Sequence, residues 1–191
     1  MPCLMLHLMT ARQFNPQASP LFLVGSIAPD CVGERSQKDR THLRDRADRP
    51  AALRQLALAA DCRNDFQLGL LLHLFLDYQW DIGPQYQYMS AYCGENWFID
   101  YRHEIALASA WAFHHIDWSA KAWQDMAAVP ADQYDGHADF PPPAIARLIQ
   151  RNGAWHQEND IGPSPVFGHD FIECFAEQAA NDFRIWLANL L

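Results

Sequence analysis

His73 and Asp77 stand four residues apart within residues 66–81, a segment apolar on nearly every face. The i, i+4 spacing of a helix puts the imidazole and the carboxylate on one stripe, and a helix hydrophobic all round is normally buried. A carboxylate placed there loses its hydration at a cost of several kcal/mol unless something positive compensates it. A metal ion is one such compensation. A direct imidazolium–carboxylate contact is the other, and the HxxxD spacing alone does not choose between them. Gly69, one turn earlier on the same stripe, leaves room for an ion or for another backbone.

The other candidate ligands lie ahead of this segment. His7 sits in the apolar context Leu6-His7-Leu8-Met9, where a neutral core histidine is the plainer alternative. Asp30 follows Pro29 at the end of an apolar run, a position that also suits a cap or turn residue. His42 follows Thr41 in a charged stretch that would equally hold a surface histidine. Together, His7, Asp30, His42, His73 and Asp77 offer three imidazoles and two carboxylates. That set of nitrogen and oxygen ligands suits zinc, with positions left open for water.

Helices must position these groups. Residues 2–13 read as a short helix carrying His7, and residues 21–28 as a second apolar element ending at Pro29-Asp30. Propensity alone also permits a strand over 21–28, but no partner strand is evident elsewhere, so a short helix is expected. A charged loop, residues 34–49, leads through Thr41-His42 to a helix over 50–62 that Pro50 helps to start. Its alternating signs suit a solvated loop better than a binding patch. The central helix spans 65–80 and stops at Gly83-Pro84, and the aromatic residues 86–98 cover its exit. Helical spacing continues over 99–115 and 118–126, then an acidic loop over 130–139 precedes helices at 142–151 and 169–190. The last has an apolar face in Phe171, Ile172, Phe175, Phe183, Trp186 and Leu187. Five to seven helices in one domain over residues 1–191, with no repeat or low-complexity segment, define an all-α expectation.

Composition limits the function. The chain has 191 residues, half of them hydrophobic, enough for a real core. With 14 basic and 23 acidic side chains its formal net charge is −9, which disfavours a general nucleic-acid-binding surface while leaving a cationic metal site free to accept a phosphate. Cys3, Cys31, Cys62, Cys93 and Cys174 form no CxxC pair and are odd in number, as expected of reduced, mostly packing residues. No apolar run reaches membrane-spanning length and no signal-peptide pattern opens the chain, so a cytoplasmic protein without a transmembrane segment is expected. Later in the chain, His103-Glu104 lacks the HExxH spacing and reads as first-turn capping or salt bridging. His114-His115 suits a helix carboxyl end, and His169-Asp170 reads as a helix start.

The order and wording of three segments add a further clue: residues 21–30 ending Gly25-Ser26-Ile27-Ala28-Pro29-Asp30, then Lys38 with Thr41-His42-Leu43, then Gly69 to Asp77. In this order they resemble the zinc-dependent phospholipase C family, related in fold to the S1/P1 nucleases. The resemblance covers roughly the first half of the chain. It is nearest to small bacterial members that lack a signal peptide, begin Met-Pro-x-x-x-x-His and carry Gly-x-Ile-Ala-Pro-Asp. It implies a single-domain, multi-helix phospholipase C/P1 nuclease-like bundle around a buried central helix.

The resemblance further implies that Asp30, His42, His73 and Asp77 bind one zinc, that Asp77 bridges to a second zinc held by His7, and that Asp30 serves as general base. Two departures stand beside it. The secreted enzymes use an amino-terminal tryptophan as a chelator, which this sequence lacks, and they carry a histidine six residues after the bridging aspartate, where this chain has Gly83. A third zinc would therefore need substitutes, for which Asp81, Glu104, His114 and His115 are the candidates. The expected function is zinc-dependent hydrolysis of a small-molecule or lipid phosphoester by a metal-activated water. A non-catalytic metal-binding helical scaffold is the alternative, and a metal-free, self-satisfied polar cluster is a third.

Overall fold

The computed structural model describes residues 2–135 and 139–190. Among the described residues the chain is helical throughout, with ten α-helices, two 3-10 turns and no β-strand element. The all-α expectation holds. The helix number exceeds the five to seven expected, and two of the ten lie in segments read as loop or cover.

The first helix, α1 (Leu4–Phe14), is capped by Cys3 and buries every residue from Met5 to Ala11, which puts His7 wholly inside. The short α2 (Pro20–Gly25) starts with proline in its first turn, and the Ser19 hydroxyl accepts from the Phe22 amide at 3.1 Å, a side-chain cap that favours helix over strand for this run. A 3-10 turn, Ala28–Cys31, follows and carries Asp30. The expected charged loop contains α3 (Arg35–Thr41), whose amino end is capped by Glu34 accepting from the Ser36 and Gln37 amides. His42 is its C-cap, and Leu43 turns the chain with φ 57°. The helix α4 (Arg49–Ala59) is capped by Asp48.

The central helix, α5 (Asp65–Ile82), begins at the Asn64 cap and contains His73 and Asp77 on its buried surface. Its tightest neighbour is α2. A β-carbon at Gly69 would overlap the Phe22 carbonyl oxygen and come 2.8 Å from the Ser26 nitrogen, and one at Gly25 would overlap the Phe66 carbonyl. Gly69 therefore makes room for another backbone, the second of the two possibilities its position offers. Gly83 ends α5 and begins α6 (Pro84–Ala91), so part of the aromatic segment expected to cover the exit is itself a helix.

Next come α7 (Trp97–His115) and α8 (Ser119–Ala127). The helix α9 (Pro142–Glu158) runs well beyond Arg151; within that extension Asn152 donates back to the Leu148 carbonyl at 2.9 Å and Gly153 sits in ordinary contact with Trp123. The last helix, α10 (His169–Ala188), starts where His169-Asp170 suggested and packs along α1. Its Phe183 is buried against Phe14 and Phe75, whereas Phe171, expected on the apolar face, is 39% exposed. Part of the acidic 130–139 loop, residues 136–138, lies outside the described residues. Among the described residues no helix is long and apolar enough to cross a membrane.

Candidate metal centre

The five ligand candidates come from four separate elements and meet at one place. His7 arrives on α1, Asp30 on the 3-10 turn, His42 at the end of α3, and His73 and Asp77 on α5. All are buried: His42, His73 and Asp77 are 0% exposed, His7 is 1% and Asp30 is 8%. Two triads of ligand atoms, His7–Asp30–His73 and His42–His73–Asp77, each lie within 4.8 Å of one another.

Hydrogen bonding fixes which nitrogens face inward. The His73 Nδ1 is 2.8 Å from the Ser26 carbonyl oxygen and the His42 Nδ1 is 2.9 Å from the Lys38 carbonyl oxygen. A carbonyl can only accept, so each Nδ1 carries a proton, and in the neutral ring each Nε2 presents a lone pair. Those two Nε2 atoms lie 3.2 Å apart. Two facing acceptors repel unless a cation stands between them. A backbone carbonyl bound to the outer ring nitrogen is also the usual support of a metal-ligating histidine.

The carboxylates complete the set. The His42 Nε2 is 3.5 Å from Asp77 Oδ2 and 3.6 Å from Asp30 Oδ1, and the His7 Nε2 is 3.4 Å from Asp77 Oδ1. Ligands about 2.0–2.1 Å from a tetrahedral zinc lie roughly 3.3 Å from each other, so these separations are those of a coordination shell. Both ring nitrogens of His7 and the Asp77 Oδ1 are buried without a hydrogen bond. Leaving such a group unsatisfied costs about 1–3 kcal/mol, and an ion would satisfy it. The residues present therefore fit zinc. The His7 ring stacks on His73 at 3.9 Å and 7°, which orients it by packing alone.

Charge follows the same pattern. Burial, and then the neighbouring His7, push His73 down to about 3, so its ring is neutral at ordinary pH. Burial pushes the Asp77 and Asp30 carboxyls upward, but their contacts with His7, His42, His73 and Lys38 outweigh it and hold both well below the usual carboxylate range. Cys31, beside Asp30, is pushed up to about 11 by burial and by that carboxylate, so its thiol is neutral and the sulfur is a weak ligand. The cysteines are unpaired, as expected, but Cys93 and Cys174 are exposed and do not pack in the core.

One major participant was not expected from the sequence. Arg44 donates from its guanidinium to Asp77 Oδ2 at 3.0 Å and from Nε to Asp81 Oδ2 at 2.8 Å, and Arg49 donates to the same Asp81 oxygen at 2.8 Å. The alternating charges of residues 34–49 are thus not all solvated: Lys38, Arg44 and Arg49 turn inward while Arg35, Asp45 and Arg46 stay exposed. The signal was confined to sequence proximity, Arg44 standing two residues after His42.

The suggested substitutes for a third zinc site are engaged elsewhere. Asp81 is held by Arg44 and Arg49, Glu104 accepts from Ser164, His114 meets the His156 carbonyl at 2.8 Å, and His115 meets the Trp111 carbonyl at 2.9 Å. Since α7 begins at Trp97, His103 and Glu104 lie in its second turn and cap nothing.

Asp30 connects the buried cluster to a cleft of about 420 Å³. Lys38, Arg102 and Arg151 line that cleft together with Leu148, Trp155 and the amino-terminal residues Pro2 and Cys3. Three cations around one opening contrast with the overall charge of −9. Comparison of the chain with protein-family models, with curated proteins and with solved structures finds no match.

Proposed function

We propose that the chain is a zinc-dependent phosphoester hydrolase, in keeping with its resemblance to the zinc-dependent phospholipases C. The observation that carries the metal is the pair of bare Nε2 atoms of His42 and His73, 3.2 Å apart and each fixed by a backbone carbonyl behind it. What favours a phosphoester is the cationic cleft onto which Asp30 opens. When bound, zinc supplies a Lewis acid and brings the pKa of water at the site toward about 7.

The chain's own groups do the rest. His7, Asp30, His42, His73 and Asp77 would hold the ion, with His42 and His73 each anchored through Nδ1 by a backbone carbonyl. Lys38, 3.5 Å from Asp30, together with Arg102 and Arg151, draws an anionic phosphoryl group to the mouth of the cluster. Asp30 is the most exposed of the five and takes the proton of the attacking water. The apolar side of Leu148 and Trp155 accommodates the rest of a small-molecule or lipid ester.

Hydrolysis of chromogenic phosphate mono- and diesters by zinc-loaded protein tests this reading. Asp30→Asn should lose orders of magnitude in rate while keeping most of its metal. The near-complete closure of the cluster, with four ligands at 1% exposure or less, favours a second reading as a non-catalytic metal-binding scaffold. Full zinc occupancy with no turnover of any phosphoester in lipid, nucleotide and small-molecule panels would establish that second reading and exclude the first.

A further inference from the structure

We infer that the cleft takes a small organic bisphosphate, with one phosphate meeting the cluster at Asp30 and Lys38 and the second held by Arg102 and Arg151. This rests on the phosphoester reading above and narrows its substrate from any phosphoester to one that carries a second phosphate.

The cleft holds more positive charge than one phosphoryl group needs. Among the described residues Asp30 is the only carboxylate that lines it, and Lys38 already pairs with that carboxylate at 3.5 Å. Arg102 on α7 and Arg151 on α9 make no ion pair or hydrogen bond among the described residues, although the chain carries 23 acidic side chains against 14 basic ones. The arginines beside the buried cluster differ: Arg44 is held by Asp77 and Asp81, and Arg49 by Asp81. Two like charges brought from separate helices to one cleft, with no protein counter-charge, are the complement of an anion that arrives from outside. Arginine suits a phosphate in particular, because its planar donor fork matches the phosphate oxygens.

Charge balance gives the number of phosphates. Lys38 and Arg44 offset Asp30 and Asp77, so the charge left at the cluster is that of a divalent ion, which one phosphate monoester, close to −2 at pH 7, offsets. Arg102 and Arg151 then add two positive charges, and a second such group offsets those. An ester whose remaining part is uncharged or cationic leaves both arginines unmatched. Size agrees: about 420 Å³ is toward the small end for small-molecule sites, and Ile105, Ala106 and Leu148 give the carbon skeleton an apolar wall. In the reaction the water oxygen forms the new bond to phosphorus and its proton passes to Asp30. The P–O bond to the skeleton breaks, and the departing oxygen takes up that proton. The products are inorganic phosphate and the organic monophosphate.

Matched probes test this: bisphosphates of short straight-chain diols, each against the alkyl monophosphate and the ω-carboxyalkyl monophosphate of the same length. Isothermal titration on zinc-loaded and on metal-free protein measures binding, phosphate release is followed in parallel, and zinc per chain is assayed after each titration. The best bisphosphate should bind about tenfold or more tightly than its alkyl monophosphate, as added charge-assisted contacts imply. The double variant Arg102→Gln, Arg151→Gln should lose that preference and keep its zinc. Arg147→Gln, which removes the same charge from α9 one turn away and outside the cleft lining, should retain it. Equal binding of bisphosphate and alkyl monophosphate by wild type overturns the inference and leaves the hydrolase reading to its own assay. A preference that survives in the double variant, or that Arg147→Gln removes as fully, overturns the assignment to Arg102 and Arg151. An equal preference for the ω-carboxylate probe overturns the second phosphate. Bisphosphate preference without phosphate release supports the ligand class and overturns the hydrolase reading. Both arginines are exposed, so glutamine there leaves the fold intact, and the wild-type comparison decides the ligand class without either variant.

Discussion

Gly69 and Ser26 are in backbone contact across the α2–α5 interface: a β-carbon at 69 would stand 2.8 Å from the Ser26 nitrogen. One turn along α5, His73 donates from Nδ1 to the carbonyl oxygen of the same Ser26 at 2.8 Å. The close approach that glycine permits is therefore what sets the tautomer and direction of a proposed ligand. Gly69→Ala should push the two helices apart, with an overpacking cost of about 1–3 kcal/mol. Denaturant unfolding will read the loss of stability. Zinc affinity should fall with it, and Gly69→Ala that binds zinc as wild type does would dissociate the helix contact from the ligand geometry.

Chelation should lower the melting temperature by several degrees, because an ion that binds only the folded state adds stability by mass action. The loss is moderated by Arg44, which keeps one Asp77 oxygen paired in the metal-free protein. Arg44→Met should therefore be far more sensitive to chelator than wild type, since metal removal then leaves a buried carboxylate uncompensated at roughly 3–5 kcal/mol. Differential scanning calorimetry with and without chelator on both proteins measures the difference.

His156 gives a pH dependence away from the metal centre. Its Nδ1 donates to the Asn152 carbonyl at 2.7 Å, and its Nε2 lies 2.9 Å from the Ser109 hydroxyl, which can donate to it when the ring is neutral. Burial, chiefly, pushes it down to about 4. The unfolded chain, with an ordinary histidine near 6.5, binds more protons between these values, so the contribution is complete above about pH 6.5 and is lost as pH falls toward 4. The full loss is about 3 kcal/mol. His156→Gln should flatten that part of the stability profile, as measured by urea unfolding from pH 7 to pH 4.

The cationic mouth should control substrate capture and not the chemical step. Arg102 and Arg151 are exposed on the cleft that Asp30 opens into. Replacing both by glutamine should raise KM for anionic phosphoesters several-fold, weaken its salt dependence, and leave zinc content unchanged. Steady-state kinetics across ionic strength give the readout. A fall in kcat alone, with KM constant, would contradict this assignment.

The helical class and the buried His73–Asp77 pair could be read from the chain because both are local. The apolar stretch of α5 makes its burial foreseeable, and a histidine and an aspartate four residues apart on a buried helix require compensation wherever the helix goes. Ser19 and Pro20 likewise mark a helix start within a few residues. The two missed helices, α3 and α6, are short and rich in charged or aromatic residues, so no periodic apolar face identifies them. Tertiary structure alone decided the rest. It brought His7 against His73 from the far end of the chain, chose the His73 tautomer through Ser26, and turned Arg44 inward onto Asp77 from a stretch whose alternating charges read as solvated. Residue types state which groups can bind an ion. Which lone pairs converge, and which cation already stands beside them, depends on the packing of helices distant in sequence.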